Sequence, residues 1–392
     1  MNEKNVVIYY IADFLATLSY TLPHSILTVL LLAKGISLSD IIIIQSAYSL
    51  ALVLFEFPSG VLADTWSKKK LYILSKIILV IMFSVVWVAK GFTPLYIAWF
   101  LYGIAAAFES GTLDTYLINS LKQEKQDKQI SHFISISNRL EMVGMFVGSI
   151  LGGILYFYIG ANIYLLSILF VSLSLTVILL FFRDDSQIRS LVSIQFIDIF
   201  KHIKQSFREL KDNSVLRIIV LFNLFSQLFF QAHYQLWQSF FLFKGVEAKK
   251  FVIFYTIFQI ISIIAYSINI EKLFLNAKYY RYLVPIFFVL PICFLSTDFL
   301  WYGIVYLFYV FIFCVVEFIL KFKFNQLVSI ENISSLVSLQ STITRLGGIA
   351  ILNIISLFLR YIRVDIVLII FFILSLSCMF TTLWYISNKK NS

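Results

Sequence analysis

Residues 161–182, ANIYLLSILFVSLSLTVILLFF, carry no charged side chain. Wound as an α-helix at about 1.5 Å per residue, such a run crosses the roughly 30 Å hydrocarbon core of a bilayer. Its backbone polar groups are then satisfied within the helix, as lipid requires. Runs of this kind recur along the chain, separated by short charged connections. They centre on 6–32, 40–63, 71–90, 94–118, 130–158, 161–182, 215–243, 249–270, 280–297, 299–320, 333–360 and 364–386. The longest exceed the ~20 residues a perpendicular span needs, which predicts tilt. Charged residues make up 13% of the chain, against about 25% in a soluble domain. That is too few to cover a water-facing surface. The fold class that follows is an all-α polytopic membrane protein with twelve transmembrane helices.

A net charge of +10 raises the possibility of a nucleic-acid partner. It fails because the basic residues sit in the connections rather than on one soluble face. With the N-terminus inside, 22 Lys and Arg fall on the cytoplasmic side and seven outside, while Arg139 and Arg345 lie within spans. The positive-inside rule then places both termini in the cytoplasm of a multi-pass cell-membrane protein. The first run is too long for a signal-peptide core and reads as the first span. Cys293, Cys314 and Cys378 lie inside apolar segments without metal-ligand spacing, so no metal and no cofactor is expected. The longest connection, 183–213, repeats Ile199, Ile203, Phe207 and Leu210 at helical spacing. An amphipathic helix on the inner membrane surface is expected there. The domains are therefore a six-helix bundle over 1–182, this central loop, and a second six-helix bundle over 214–392.

The two bundles repeat one another. LLLAKGISLSDIIIIQSAYSL (30–50) overlays SFFLFKGVEAKKFVIFYTIFQ (239–259) when Lys34-Gly35 is set on Lys244-Gly245, an offset of 210 residues. NRLEMVG (138–144) overlays TRLGGIA (344–350) in the corresponding later spans. Two matches in the same order favour a duplicated, pseudo-symmetric six-plus-six architecture.

Between spans two and three the chain reads GVLADTWSKKK, with Gly60, Leu62, Ala63, Asp64, Lys68 and Lys69 at fixed spacing. The pattern G-x-L-A-D-x-x-x-K-K resembles the loop signature of the major facilitator superfamily. Thr65 and Ser67 stand where that family usually has a basic residue and a glycine. In span five GMFVGSILGG, with Gly144, Gly148, Gly152 and Gly153, is similar to the family's antiporter signature, Ser149 replacing its proline. Small-residue helix packing accounts for the same glycines equally well. ESGTLDTYLINSL (109–121) looks like the end of span four in drug-exporter-like members. The resemblance implies that spans one, four, seven and ten line a central cavity. It also implies that Asp64 latches the two halves when the cavity faces outward. The three lysines need only topology and anionic lipid to explain them.

Polar residues inside spans are costly and therefore informative. In span one Asp13, Thr17, Thr21, His24 and Thr28 recur every three or four residues and form one stripe. In span seven Asn223, Gln227, Gln231, Tyr234 and Gln238 do the same, and the offset of 210 maps one stripe onto the other. These residues are the candidate substrate-cavity lining. His233 falls off its helix's stripe. Glu109 and Asp114 in span four, Arg139 and Glu141 in span five, Glu56 in span two and Glu317 in span ten add charge. Asp13, Glu56, Glu109, Arg139 and Glu141 share one layer, about 10–15 Å from the inner surface by helical rise. They cannot all be charged and unpaired, and Arg139 with Glu109 is the expected pair. A carboxylate whose charge changes with exposure can couple to protons. Asp13, Glu109, Arg139, Glu141 and Glu317 are the candidates, with permanently paired helix-to-helix ties as the competing reading.

No phosphate loop, H-E-x-x-H or G-x-S-x-G occurs, so neither a nucleotide-driven pump nor an enzyme is expected. The expected function is a monomeric secondary transporter working by alternating access. Its partners are a small-molecule substrate, protons and membrane lipid. Proton-coupled export of an amphipathic, drug-like compound is the first expectation. Proton-driven uptake of a small polar solute such as a sugar or peptide is the second, and a non-transporting membrane sensor stands as the alternative of another class.

Overall fold

The computed structural model describes residues 2–65, 67–123, 127–183, 209–267, 287–328 and 333–390, and every element among them is helical. The chain divides into two compact units, Met1–Ser193 with Glu247–Thr256, and Ile194–Val246 with Ile257–Ser392. Among the described residues, ten helical stretches are long and apolar enough to cross a membrane. One of them, Gln129–Phe181, is interrupted by a 3₁₀ turn at Gly160–Asn162 and holds spans five and six. Span nine begins outside the described residues and is seen from 287 onward. The amphipathic helix expected from Ile199, Ile203 and Phe207 also lies outside them.

In the first unit, α1 (Asn2–Thr21), a 3₁₀ turn (His24–Ile26) and α2 (Leu27–Ala33) together form span one. The break falls at Pro23, which brings no N–H to the helix. Then follow α3 (Leu38–Thr65), α4 (Lys68–Val88), α5 (Phe92–Glu109), α6 (Leu113–Gln123), α7 (Asp127–Ile159) and α8 (Ile163–Phe181). Span four is discontinuous: Ser110 leaves the helical region and Gly111 takes φ +69° between α5 and α6. Helix α1 packs on α7 and α8, α3 on α5, and α4 on α5 and α8.

Lipid supplies no hydrophobic force between helices, so close packing and polar ties hold them. Gly144, Gly148 and Gly152 let α7 lie against α1. A Cβ on each would meet Thr17, Thr21 and the Leu22 backbone at 2.8, 2.1 and 1.7 Å. Gly153 faces Ser25 and Val252 in the same unit. Ser25 Oγ donates to Ser149 O at 2.8 Å across this seam, and Ser174 Oγ donates to Ala12 O at 2.7 Å across the α1–α8 contact. Asn5 and Arg183 exchange hydrogen bonds, side-chain amide to backbone, of 2.9 and 3.1 Å at the start of α1 and the end of α8.

In the second unit α9 (Ser214–Phe243), α10 (Phe251–Tyr266, whose first turns belong to the first unit), a 3₁₀ segment (Leu290–Leu295), α11 (Phe299–Leu327), α12 (Ile333–Leu359) and α13 (Val364–Lys390) follow. Helix α9 packs on α13 and α12 as α1 packs on α8 and α7. Its core is aromatic. Phe229 stacks on Phe313 at 3.9 Å between ring centroids and meets Phe372 at 4.7 Å, which in turn contacts Phe294 and Tyr306, and Tyr306 stacks on Phe240.

The repeat read from the sequence has the same backbone in both units. Gly35 and Gly245 each take φ +80°, following Lys34 and Lys244 at φ −80°. Gly35 N donates to Leu32 O and Ile36 N to Leu31 O; Gly245 N donates to Leu242 O and Val246 N to Phe241 O. This paired closure of a helix end needs the left-handed residue that glycine supplies. Each lysine then reaches the end of the third span of its unit. Lys34 Nζ donates to Trp87 O and Ala89 O, and Lys244 Nζ donates to Ser296 O.

Candidate functional site

Of the five residues expected in one charged layer of the first unit, Asp13, Glu109 and Glu141 lie within electrostatic reach of one another, whereas Glu56 and Arg139 are exposed, and the cation beside Glu109 is a different one. Glu109 ends α5 and pairs with Lys76 of α4, whose side chain is 0% exposed, whereas that of Glu109 is 26% exposed. Lys76 Nζ also lies 4.5 Å from the centre of the Tyr72 ring one turn earlier. Arg139, the partner expected for Glu109, is exposed on α7. The correction has a physical reason. A buried ammonium at membrane depth needs an adjacent anion, and the end of α5 offers both the Glu109 carboxylate and the negative pole of a helix. Lys76 stands alone in the apolar run LYILSKIILV (71–80), close after Lys68, Lys69 and Lys70. That isolation was the signal for its role, and proximity to the loop lysines hid it.

Asp13 of α1 is half-buried and within electrostatic reach of Lys76, Glu109, Glu141 and Asp114. Tyr9, Tyr20 and Tyr72 share this environment. The fold thus brings Asp13, Glu109, Asp114 and Glu141 from four helices within electrostatic reach of one another, with Glu109 paired to the buried Lys76. Thr112, between α5 and α6, donates its hydroxyl to Glu109 O at 2.6 Å, which fixes the bend that presents the carboxylate.

The stripe of span one divides. Thr17 and Thr21 do not line an opening: both are buried in the glycine seam with α7. Thr17 Oγ1 lies 3.0 Å from Tyr20 Oη, and Thr21 Oγ1 donates to Thr17 O at 2.7 Å. His24 is half-buried and Thr28 buried. In span seven Asn223 and Gln238 are buried, Tyr234 is exposed, and Gln231 Nε2 donates to Gln227 Oε1 at 3.0 Å beside Gly348 of α12. His233, off the stripe, is buried in the aromatic core with Nδ1 at 3.0 Å from Tyr306 Oη. Glu317 is half-buried in α11, and Glu56 is exposed on α3.

In the loop between α3 and α4, Ser67 caps α4 by accepting from Lys70 N at 3.3 Å. Lys69 Nζ donates to Phe182 O at 2.6 Å and Leu179 O at 3.4 Å, so it closes the end of α8. Lys68 is half-buried, and Gly60 is exposed with open space around it. Asp64 lies in the last turn of α3, and its side chain is outside the described residues.

A second buried charge cluster was missed entirely. Asp365, fully buried at the start of α13, accepts from Arg363 at 2.7 and 3.2 Å and faces Lys244 Nζ at 3.7 Å. Burial pushes the Lys244 amine below the usual lysine range, against the opposing pull of Asp365.

The profile of the Major Facilitator Superfamily matches residues 9–352. No curated protein matches the chain. Among solved structures, the nucleoside transporter NupG superposes with a TM-score of 0.74 at 14% identity, over 97% of this chain and 99% of that one. A bacterial homolog of the human lysosomal transporter Spinster, inward-facing and unoccupied, gives 0.68 at 13% over 98% and 94%. The POT family transporter PepTSo gives 0.68 at 9% over 99% and 98%. At these identities the likeness is one of fold.

Proposed function

The chain belongs to the major facilitator superfamily, and from that premise we propose a proton-coupled secondary transporter that exports an amphipathic, drug-like compound by alternating access. It acts as a monomer in the cell membrane with both termini cytoplasmic. The observation that supports the coupling is the layer in which Glu109 pairs with the buried Lys76, while Asp13, Asp114 and Glu141 lie within electrostatic reach of Glu109. Carboxylates in such excess over buried cations take up protons or substitute charge when they leave water. Export rests on an aromatic content of 18% and on the uncharged amides of α9. The span-five glycines add nothing to the direction, because close packing on α1 uses Gly144, Gly148 and Gly152.

Uptake of a small polar solute is the second reading, favoured by the Gln227–Gln231 amide pair and buried Asn223. Compounds that raise the thermal stability of the purified protein at two pH values supply the substrates for a flux assay in proteoliposomes. Antiport predicts accumulation in acid-interior vesicles and symport in alkaline-interior ones. Flux indifferent to the imposed gradient for every stabilising compound ends the proton-coupled reading.

A further inference from the structure

We propose that Lys76 is the switching counter-ion of the charged layer, held by Glu109 in the conformation described and by Asp13 when Glu109 takes a proton. The inference rests on the proton-coupled reading and adds to it the residue that makes the two carboxylates interdependent.

Three observations carry it. First, Lys76 is sealed. Its side chain is 0% exposed while the carboxylate it holds is 26% exposed. A proton therefore reaches Glu109 without Lys76 meeting solvent. Once Glu109 is neutral, an ammonium in that position has lost its anion, which buried charge does not tolerate.

Second, an alternative anion is at hand. Ala12, next to Asp13 on α1, and Tyr72, one turn before Lys76 on α4, pack in one buried apolar cluster, which holds the half-buried Asp13 within electrostatic reach of Lys76. The other ionisable groups around the layer do not replace it. Asp114 on α6 answers to Lys68 and to the backbone at its own helix start. Glu141 on α7 is half-buried and feels Glu109. Tyr9 and Tyr20 on α1 and Tyr72 on α4 bring no charge at neutral pH. Helix α8 contributes Ser174, which is bonded to Ala12 O.

Third, the charge closes. Asp13, Glu109 and Lys76 sum to −1 with both acids ionised and to zero with one proton bound, on whichever acid it rests. The neutral trio has two arrangements, Lys76 on Glu109 with Asp13 protonated, or Lys76 on Asp13 with Glu109 protonated. Exchange between them breaks the O–H bond of one acid and forms that of the other, with the number of bound protons and the net charge unchanged. Glu109 sits at the discontinuity of span four, at the junction of α5 and α6, so the exchange releases or grips a helix end.

Dicyclohexylcarbodiimide, a lipophilic reagent that attacks protonated carboxyls in apolar surroundings, reads the proposal without a known substrate. The labels on Asp13 and Glu109 of the intact purified protein are quantified by mass spectrometry against pH. In Lys76→Gln the labelling of both acids should extend to higher pH, with about tenfold more product at neutral pH, and Lys76→Arg should restore the wild-type profile. A role confined to packing would lower thermal stability and leave the Asp13 profile where it was; that outcome overturns the proposal. Should Lys76→Gln not fold, Lys76→Gln/Glu109→Gln removes the pair together and is compared with Glu109→Gln alone. Labelling of Asp13 that extends to higher pH in the double variant supports the exchange, and identical profiles refute it. Labelling that responds to Lys76 while flux ignores the pH gradient would keep the counter-ion and discard the transport reading.

Discussion

Replacing Gly152 with alanine tests the seam that holds span one to span five. The added Cβ would lie 1.7 Å from the Leu22 carbonyl oxygen, 2.5 Å from its carbon and 2.8 Å from its Cα, where ordinary contact begins at 3.4 Å. These are backbone atoms, so no rotamer change relieves the clash. Helices α1 and α7 must part by up to about 1.7 Å at that point, and even a 0.5–1 Å gap forfeits a quarter to a half of each contact's dispersion energy. Thr17, Thr21, Leu22 and Ser25, all at most 2% exposed, lose that packing together. Overpacking of this kind costs about 1–3 kcal/mol, and the backbone contact places Gly152→Ala near the upper end. Gly60→Ala is the control. Nothing lies within 4 Å of its Cβ, and alanine favours the helix by about 1 kcal/mol. Thermal inactivation of the purified variants in one detergent, followed by the monodisperse fraction, compares the two. A Gly152→Ala protein as stable as Gly60→Ala would refute the close approach of α1 and α7.

Other expectations concern charge and topology. Asp13→Asn should abolish accumulation driven by a pH gradient while preserving downhill exchange; a variant that still concentrates substrate moves the coupling to Glu109 or Glu317. Asp64→Asn should slow turnover and leave insertion and substrate affinity near wild type, as flux and binding measured on one preparation will show. Asp365→Asn strands Lys244 in a buried site and should cost about 3 kcal/mol, read as a fall in thermal stability that Lys244→Gln in the same chain partly restores. Reporter fusions after residues 68, 125, 200 and 276 should read cytoplasmic and those after 92 and 246 external; a cytoplasmic signal at 246 would break the six-plus-six arrangement.

Apolar length made the spans legible, because a helix in lipid must close its own hydrogen bonds and the requirement is written residue by residue. The duplication was legible from two Lys-Gly pairs because a left-handed helix end constrains the sequence locally. What escaped was whatever depends on facing. Thr17 and Thr21 share a stripe with Asp13, yet α7 covers them, since periodicity gives a face and not the neighbour that occupies it. Glu109 could be seen to need a cation, and Arg139 was the one expected; Lys76 was counted with the cytoplasmic lysines, and only packing separates the exposed arginine from the sealed lysine. Asp365 falls at the very start of the last span, beside Arg363, and nothing in its spacing marks it as buried. The breaks at Pro23 and Gly111 carried residues that permit them, within runs whose composition reads as continuous helix.

The burial of Lys76 also bears on how the chain is made. Helix α4 emerges from the ribosome 33 residues ahead of the carboxylate that neutralises its lysine. A lysine near the middle of a span costs about 2.5–3.5 kcal/mol during insertion, and until Glu109 arrives nothing within α4 offsets it. The third span therefore has reason to wait at the translocon for the fourth, and joint insertion of the two as a hairpin is expected. The pair proposed for proton coupling would then serve biosynthesis as well.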